Sequence, residues 1–199
     1  MPTVASPTDV STRAIYSTVS PGMRNRLKQA TAQAHRDLDA RFAAFDLTSV
    51  SGYRRFLEAS ASALLPLEAA LVEADVMRTF TDWDRRSRRR AMAADLARLG
   101  GVTRPQDQPG LNRNSMLGTM YVLEGSRLGA RFLLRSIANA TDAMIASATA
   151  YLGHGQGLHL WQGFLTTLEN QPVTPADEAE AIDGARHAFT MFSQAAARA

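Results

Sequence analysis

Apolar residues recur three and four positions apart over most of the chain, which predicts amphipathic helices rather than strands. Ser20 and Pro21 supply an N-cap and a first-turn residue, so we expect the first helix to run from there to about Phe45. The apolar stripe of this helix comprises Met23, Leu27, Ala30, Ala34, Leu38, Phe42 and Phe45.

Turn-forming residues separate the further helices that the pattern predicts. These helices cover residues 51–74, 81–99, a glycine-bearing segment that ends near 137, 142–152, a short segment around Trp161 and the chain from 174 onward. Pro66 should kink or split the second of them. Asn112 or Asn114 should cap the glycine-bearing helix, and Thr174 should cap the last one.

The N-terminal residues 1–19 differ from the rest, because they are rich in Ser, Thr, Pro and Ala and show no apolar periodicity. We interpret them as a disordered leader. Residues 20–199 are long enough for one substantial core, so the predicted architecture is all-α in a single domain.

The predicted helix that ends near residue 137 carries three glycines, at positions 118, 125 and 129. Each costs about 1 kcal/mol relative to alanine in a helix interior. Gly125 and Gly129 are four residues apart and therefore share a face. Such a face admits either a closely packed second helix or a flat ligand.

A histidine and a lysine share one face of the first helix. Lys28, Thr31 and His35 align at 100° per residue, and Lys28 lies about 10 Å along the axis from His35. A neutral imidazole is a good iron ligand, and an ammonium group nearby could pair with a carboxylate of an iron-bearing molecule. The alternative is a histidine without a ligand.

Together the two segments resemble the biliverdin-producing heme oxygenases, most closely the bacterial branch associated with phytochromes. The similarity is carried by Leu-Lys-x-x-Thr-x-x-x-His, which ends at His35, by Tyr-Val-Leu-Glu-Gly-Ser-x-Leu-Gly, which ends at Gly129, and by Trp161-x-x-Phe164. It covers roughly residues 22–195. The resemblance implies a helical bundle in which heme is sandwiched between a proximal helix and a kinked distal helix.

The resemblance also implies roles for individual residues. His35 would bind the iron, Lys28 would pair with a heme propionate, and Gly125 and Gly129 would lie over the distal heme face. The remaining candidates for the heme pocket are Thr31, Tyr121, Arg131, Trp161 and Phe164. Tyr121 would point into the pocket or pack in the core, and Arg131 would reach a propionate or solvent.

Two positions depart from the family pattern. Many relatives carry an Asp directly after the first distal glycine, where it holds a proton-delivering water, whereas this chain has Ser126. A hydroxyl can still anchor a water, and Glu124 and Arg127 are nearby alternatives. Gln162 stands where many relatives have an arginine that fixes the heme rotation, so the cleaved meso position stays open.

Composition excludes several other classes. The absence of cysteine excludes disulfides and cysteine metal sites and argues against the thiaminase-like enzymes. The absence of Glu-x-x-His argues against a di-iron site. A net charge of +3 argues against nucleic-acid binding by the basic run 85–90, which we interpret as a solvated face or as a docking surface for an acidic electron-transfer partner. His154 and His159 form a weak metal-site candidate, and His187 should be structural or exposed.

No segment is apolar enough to span a membrane and no signal peptide is visible, so we expect a soluble cytoplasmic protein. The predicted activity is cleavage of heme to biliverdin, carbon monoxide and ferrous iron, with O2 and electrons from a ferredoxin or reductase. A bacterial phytochrome could receive the biliverdin. The alternative is a non-catalytic heme-binding, storage or sensor protein on the same fold.

Overall fold

The computed structural model describes residues 22–137 and 142–199, and within them it contains only helices and loops, which confirms the predicted all-α class. The helices are α1 (Met23–Phe42), α2 (Val50–Glu73), a 3-10 turn (Val76–Arg78), α3 (Trp83–Arg86), α4 (Arg89–Leu99), α5 (Arg113–Ile137), α6 (Ala143–Ser147), α7 (Ala150–Gly153), α8 (Leu160–Glu169) and α9 (Pro175–Arg198). The predicted leader 1–19 lies outside the described residues.

The first helix begins later than the sequence pattern predicts. Its N-cap is Gly22, which offers no side-chain cap, and the predicted cap Ser20 lies outside the described residues. The carboxylate of Glu169 takes over part of the capping, because it accepts a 2.9 Å hydrogen bond from the backbone N–H of Arg24. The start of α1 is therefore held by the end of α8.

Pro66 does not split α2, contrary to one of the two expectations. The helix is continuous over its 24 residues, with Pro66 inside it and buried. Ser49 caps its start by accepting a 3.1 Å hydrogen bond from the N–H of Gly52.

The predicted helix 81–99 is wrong as a single element, because the chain breaks at Ser87 between α3 and α4. The buried carboxylate of Glu68, from α2, explains the break. It accepts a 2.7 Å hydrogen bond from the backbone N–H of Arg88 and a 2.5 Å hydrogen bond from the Ser87 hydroxyl. Glu68 thus caps the start of α4 from another helix.

The predicted helix 142–152 is also divided, into α6 and α7. Tyr53 of α2 donates a 2.6 Å hydrogen bond to the carbonyl of Ala148, which lies at the break. The carboxylate of Asp95 accepts hydrogen bonds from the N–H groups of Ala150 (3.1 Å) and Tyr151 (2.7 Å), and so caps α7. Hydrogen bonds from Tyr53 and to Asp95, which are distant in sequence, therefore replace those of a continuous helix.

The last helix, α9, occupies the centre and packs against α1, α2 and α5.

The N-caps of α5 and α9 are among those that the sequence predicts. Asn112 accepts hydrogen bonds from the N–H groups of Asn114 (3.1 Å) and Ser115 (2.9 Å), and Thr174 forms a capping box with Asp177.

Glycines allow α5 and α9 to approach each other backbone to backbone. A methyl group at Gly118 would collide with the carbonyl of Ala181, and one at Gly184 would collide with the carbonyl of Ser115. Gly118 therefore serves helix packing. Gly129 is different, because nothing lies within 4 Å of the position that its Cβ would occupy.

Across the described residues, none of the helices combines the length and the apolarity that crossing a bilayer requires.

Gly118 and Gly129 of α5 should respond oppositely to substitution by alanine. We expect Gly118→Ala to lower the free energy of unfolding of the apo protein by about 1–3 kcal/mol, because it overpacks the contact with α9. Gly129→Ala should raise it by up to about 1 kcal/mol, since alanine is the better helix former and the site is open. Urea unfolding of both variants measures the difference, and equal destabilisation would contradict this assignment.

Candidate functional site

The exposed part of α1 carries the predicted iron ligand. His35 is exposed, and its Nδ1 lies 2.9 Å from the Oδ2 of Asp39, one turn further along the helix. The edge of its ring contacts Phe189 of α9, with ring centroids 5.7 Å apart and planes at 66°. The imidazole is thus oriented by a carboxylate on one side and by an aromatic ring on another.

This arrangement is the one that a metal-ligating imidazole needs. A hydrogen bond from Nδ1–H to a carboxylate leaves Nε2 as the ring nitrogen that can bind a metal. Among the described residues, Nε2 of His35 has no hydrogen-bond partner. Asp39 was not among the predicted site residues, although its spacing of four from His35 is a signal that the sequence contains.

The glycine face of α5 is open around Gly125 and Gly129. A Cβ at Gly125 would meet only the ring of Trp161, at 3.6 Å, and a Cβ at Gly129 would meet nothing. Helix packing therefore does not explain these two glycines. The backbone is open at Gly129, and at Gly125 a gap separates it from the ring of Trp161.

Three helices meet at one end of this face, around Tyr121. Its ring lies 5.8 Å from that of Trp161 of α8, and its side chain lies close to that of Thr31 of α1. Burial raises the pKa of Tyr121, which the contact with Thr31 partly opposes. His35 lies one turn beyond Thr31 on α1, and Gly125 lies one turn beyond Tyr121 on α5. The imidazole and the glycine face therefore each begin one turn from the point where the helices meet.

The other predicted pocket residues have contrasting positions. Phe164 is fully buried and stacks on Trp161, with ring centroids 5.6 Å apart, so it supports that ring from beneath. Lys28 is exposed on α1. Arg131 is exposed on α5, where it borders a surface depression with Leu128 and Phe132.

A buried ion cluster holds the opposite side of α5. The carboxylate of Glu124, 2% exposed, lies 3.1 Å from Nη1 of Arg86. It also accepts two 3.0 Å hydrogen bonds from Arg127. Arg86 in turn pairs with Asp82 at 2.7 Å and donates a 3.0 Å hydrogen bond to the carbonyl of Leu160. The cluster joins α3, α5 and α8 directly behind Gly125.

His154 extends this cluster into the loop after α7. Its Nδ1 lies 3.1 Å from Nη1 of Arg127. A guanidinium can only donate, so Nδ1 accepts and the ring is neutral, with its proton on Nε2. Burial, together with the charges of Arg127 and Arg88, lowers the pKa of His154 to about 4. Burial also lowers the pKa of Arg127.

Ser126 lies on the border between the glycine face and the cluster. Its hydroxyl donates a 2.8 Å hydrogen bond to the carbonyl of Leu123 and accepts a 3.0 Å hydrogen bond from Nη1 of Arg88. The Arg88 side chain is buried and lies over the ring of Tyr151, 5.3 Å from its centroid.

The interpretation of the basic run as a solvated face is therefore wrong for two of its arginines. Arg86 and Arg88 are buried at 4% and 2% exposure, whereas Arg85, Arg89 and Arg90 are exposed. The sequence does not show this, because most of the groups that hold the two side chains come from α5 and α8, more than thirty residues away. The helical pattern alone does not distinguish the two buried arginines from the three exposed ones.

The weak metal candidate at His154 and His159 gains no support. His154 is engaged with Arg127, and His159 is the exposed residue before α8. Within the described residues, no group of three His, Cys, Asp or Glu side chains could hold a metal ion. His187 is exposed on α9, as one of its two interpretations predicts.

His154 should make stability depend on pH. Its pKa is about 4 in the fold and 6.5 unfolded, so between these values the unfolded chain binds more protons and the fold loses stability as pH falls. Between pH 7.5 and 5, we expect urea unfolding of the wild type to lose about 1–2 kcal/mol more than His154→Gln, after allowance for partial exposure. His187→Gln, an exposed control, should behave like the wild type.

Comparisons with known proteins agree on one family. The family model described as heme oxygenase matches residues 102–198. Heme oxygenase PigA of Pseudomonas aeruginosa is 29% identical over 174 residues, covering 84% of this chain and 87% of its own. The heme oxygenase of Xanthomonas campestris is 26% identical over 167 residues, covering 83% and 94%.

A solved structure supports the same assignment. The NO- and CO-bound heme oxygenase of Neisseria meningitidis superposes with a TM-score of 0.78 at 26% identity, over 89% of this chain and 91% of that one. Over most of its length the chain is therefore similar to heme oxygenases.

Proposed function

We propose that the protein is a heme-degrading oxygenase whose substrate lies between the exposed face of α1 and the glycine face of α5. The observation that carries the proposal is the pairing of a carboxylate-oriented imidazole at His35 with an open backbone at Gly125 and Gly129. Heme supplies the reacting meso carbon and the iron at which oxygen is reduced. The protein's part is to bind it, orient it and control protons.

On the α1 side, His35 would bind the heme iron through Nε2, with Asp39 holding Nδ1 and the ring of Phe189 limiting the rotation of the imidazole. The exposed ammonium of Lys28 lies two turns earlier on the same helix and can pair with a propionate in solvent. A histidine, unlike a thiolate, does not push strongly for cleavage of the O–O bond.

On the α5 side, Gly125 and Gly129 let the helix backbone come close to the heme face. This approach restricts the space for oxygen on that face and directs it towards one edge of the macrocycle. Tyr121 and Trp161 supply an aromatic wall at one end of the pocket, and Phe164 supports that wall from the core. Arg131 is exposed at the far end of α5, where solvent or a propionate can reach it.

The position of Ser126 restricts how a proton-delivering water is held. The hydroxyl proton is directed to the carbonyl of Leu123, and one lone pair is taken by Arg88. Ser126 can therefore anchor a water only by accepting from it. Glu124 and Arg127 are bound to each other within the buried cluster, which argues against them as proton donors at the glycine face.

The further features of the reaction rest on the family resemblance. We propose biliverdin, carbon monoxide and ferrous iron as products, O2 as co-substrate and a ferredoxin or reductase as electron donor. The exposed Arg85, Arg89 and Arg90 offer a basic surface for an acidic donor. Delivery of biliverdin to a bacterial phytochrome and a cytoplasmic location stay predictions.

A second candidate function is heme binding without turnover, in storage or sensing. Ser126 favours it, because a hydroxyl does not replace the charge of the carboxylate that many relatives carry there. Hemin with O2 and an electron donor separates the two functions. A bilin absorption band supports the oxygenase, a Soret shift without a bilin supports the sensor, and no Soret shift contradicts both.

Replacement of the axial ligand should be visible in the spectrum. We expect His35→Ala to change the ferric heme spectrum, because no other histidine lies on this face of α1, and added imidazole should restore it. Absorption spectra of the variant with and without imidazole test this, with His187→Ala as a control of equal chemistry on an exposed part of α9. A wild-type spectrum in His35→Ala would mean that another residue binds the iron.

A large side chain at the second distal glycine should separate activity from stability. Gly129→Leu should reduce bilin formation at least about tenfold, because the side chain enters the ligand's space, an effect of about 1.4 kcal/mol or more on the barrier. The thermal midpoint of the apo protein should not fall, since the site is open. Normal turnover by this variant would remove Gly129 from the site.

A further inference from the structure

One buried cation in the cluster behind α5 has no carboxylate of its own. The guanidinium of Arg88 donates to the hydroxyl of Ser126 and, at 3.1 Å, to the carbonyl of Leu123. Among the described residues, no carboxylate oxygen lies within 4 Å of its nitrogens, and its Nε has no hydrogen-bond partner. The contact between Glu68 and Arg88 is a hydrogen bond from the backbone N–H of Arg88 and does not involve the guanidinium.

Among the described residues, no ion pair neutralises this guanidinium directly. Arg86 pairs with Asp82 and shares the carboxylate of Glu124 with Arg127, and His154 is neutral because its Nδ1 accepts from Arg127. Tyr151 contributes the face of a ring, which attracts a cation and carries no charge. A buried guanidinium stays protonated and is costly to leave unpaired. An anionic partner that approaches this guanidinium is therefore stabilised by its charge.

The place where such a partner could come is next to the glycine face. Ser126 is exposed, it directly follows Gly125, and its hydroxyl is the point where the Arg88 guanidinium meets the surface of α5. A positive charge beside this surface favours an anion, and a neutral ligand much less.

We propose that Arg88 and Ser126 together form a distal anion-stabilising site, which favours negatively charged ligands and developing negative charge on the glycine side of the bound heme. This inference rests on the proposed function, and it adds a role for Arg88 that the sequence did not suggest. Arg88 acts as a positioning residue through Ser126 and through its field, without needing to touch the heme.

The test compares an anionic and a neutral probe on the heme complex. Spectroscopic titration gives the Kd of azide for the ferric complex and of carbon monoxide for the ferrous complex. We expect Arg88→Met to weaken azide binding at least about tenfold, the loss of one charge-assisted interaction. Carbon monoxide binding should change by less than about threefold, since a neutral ligand feels little of the lost charge.

A second variant guards against misfolding of Arg88→Met. Ser126→Asp places a carboxylate within reach of the guanidinium at an exposed position, so it should neutralise Arg88 and weaken azide binding in the same direction. Ser126→Asn, its uncharged counterpart, should lose less. Arg89→Met removes an exposed arginine from the adjacent position and should leave both affinities as in the wild type.

The outcomes are distinct. Selective loss of azide affinity in Arg88→Met or, if that variant does not fold, in Ser126→Asp supports the inference. Unchanged azide affinity in the folded variants, or an equal loss for azide and carbon monoxide, overturns it and leaves the proposed function intact. A wild-type protein that shows no Soret shift with hemin removes both together.

Discussion

The buried carboxylate of Glu124 is the constraint on which the arrangement of the site depends. It takes Arg127 from its own helix and Arg86 from α3, and all three side chains are shielded from water. A buried pair of this kind is costly to break, about 3–5 kcal/mol when one partner is removed. It fixes the rotation of α5 about its axis, and this rotation decides that Gly125 and Gly129 face the opening instead of the core.

The same cluster separates the tasks of the three glycines. Gly118 lies before the cluster, where α5 crosses α9, and it has no room for a methyl group. Gly125 and Gly129 lie beside and beyond it, where the helix faces Trp161 or nothing. One helix thus combines a packing contact with an open backbone, because the ion pairs stabilise the segment in between without covering its other face.

Carboxylates and hydroxyls from distant helices set several of the helix ends. Glu169 holds the start of α1, Glu68 the start of α4 and Asp95 the start of α7, while Tyr53 binds the carbonyl at the break before α7. Each of them satisfies backbone groups that would otherwise be orphaned at a helix terminus. The short helices α3, α6 and α7, too short to be stable alone, depend on these contacts.

The sequence by itself determined the helical class, the long helices α1, α2, α5 and α9, the local caps at Asn112 and Thr174, and the family motifs around His35 and Gly125. Periodicity and local capping depend on residues that are close in sequence, so the sequence alone reveals them. Only the tertiary structure decided which arginines of the run 85–90 are buried, where the two predicted helices break, and which glycine serves packing. These outcomes depend on partners such as Glu68 and Glu124, whose proximity the fold alone creates.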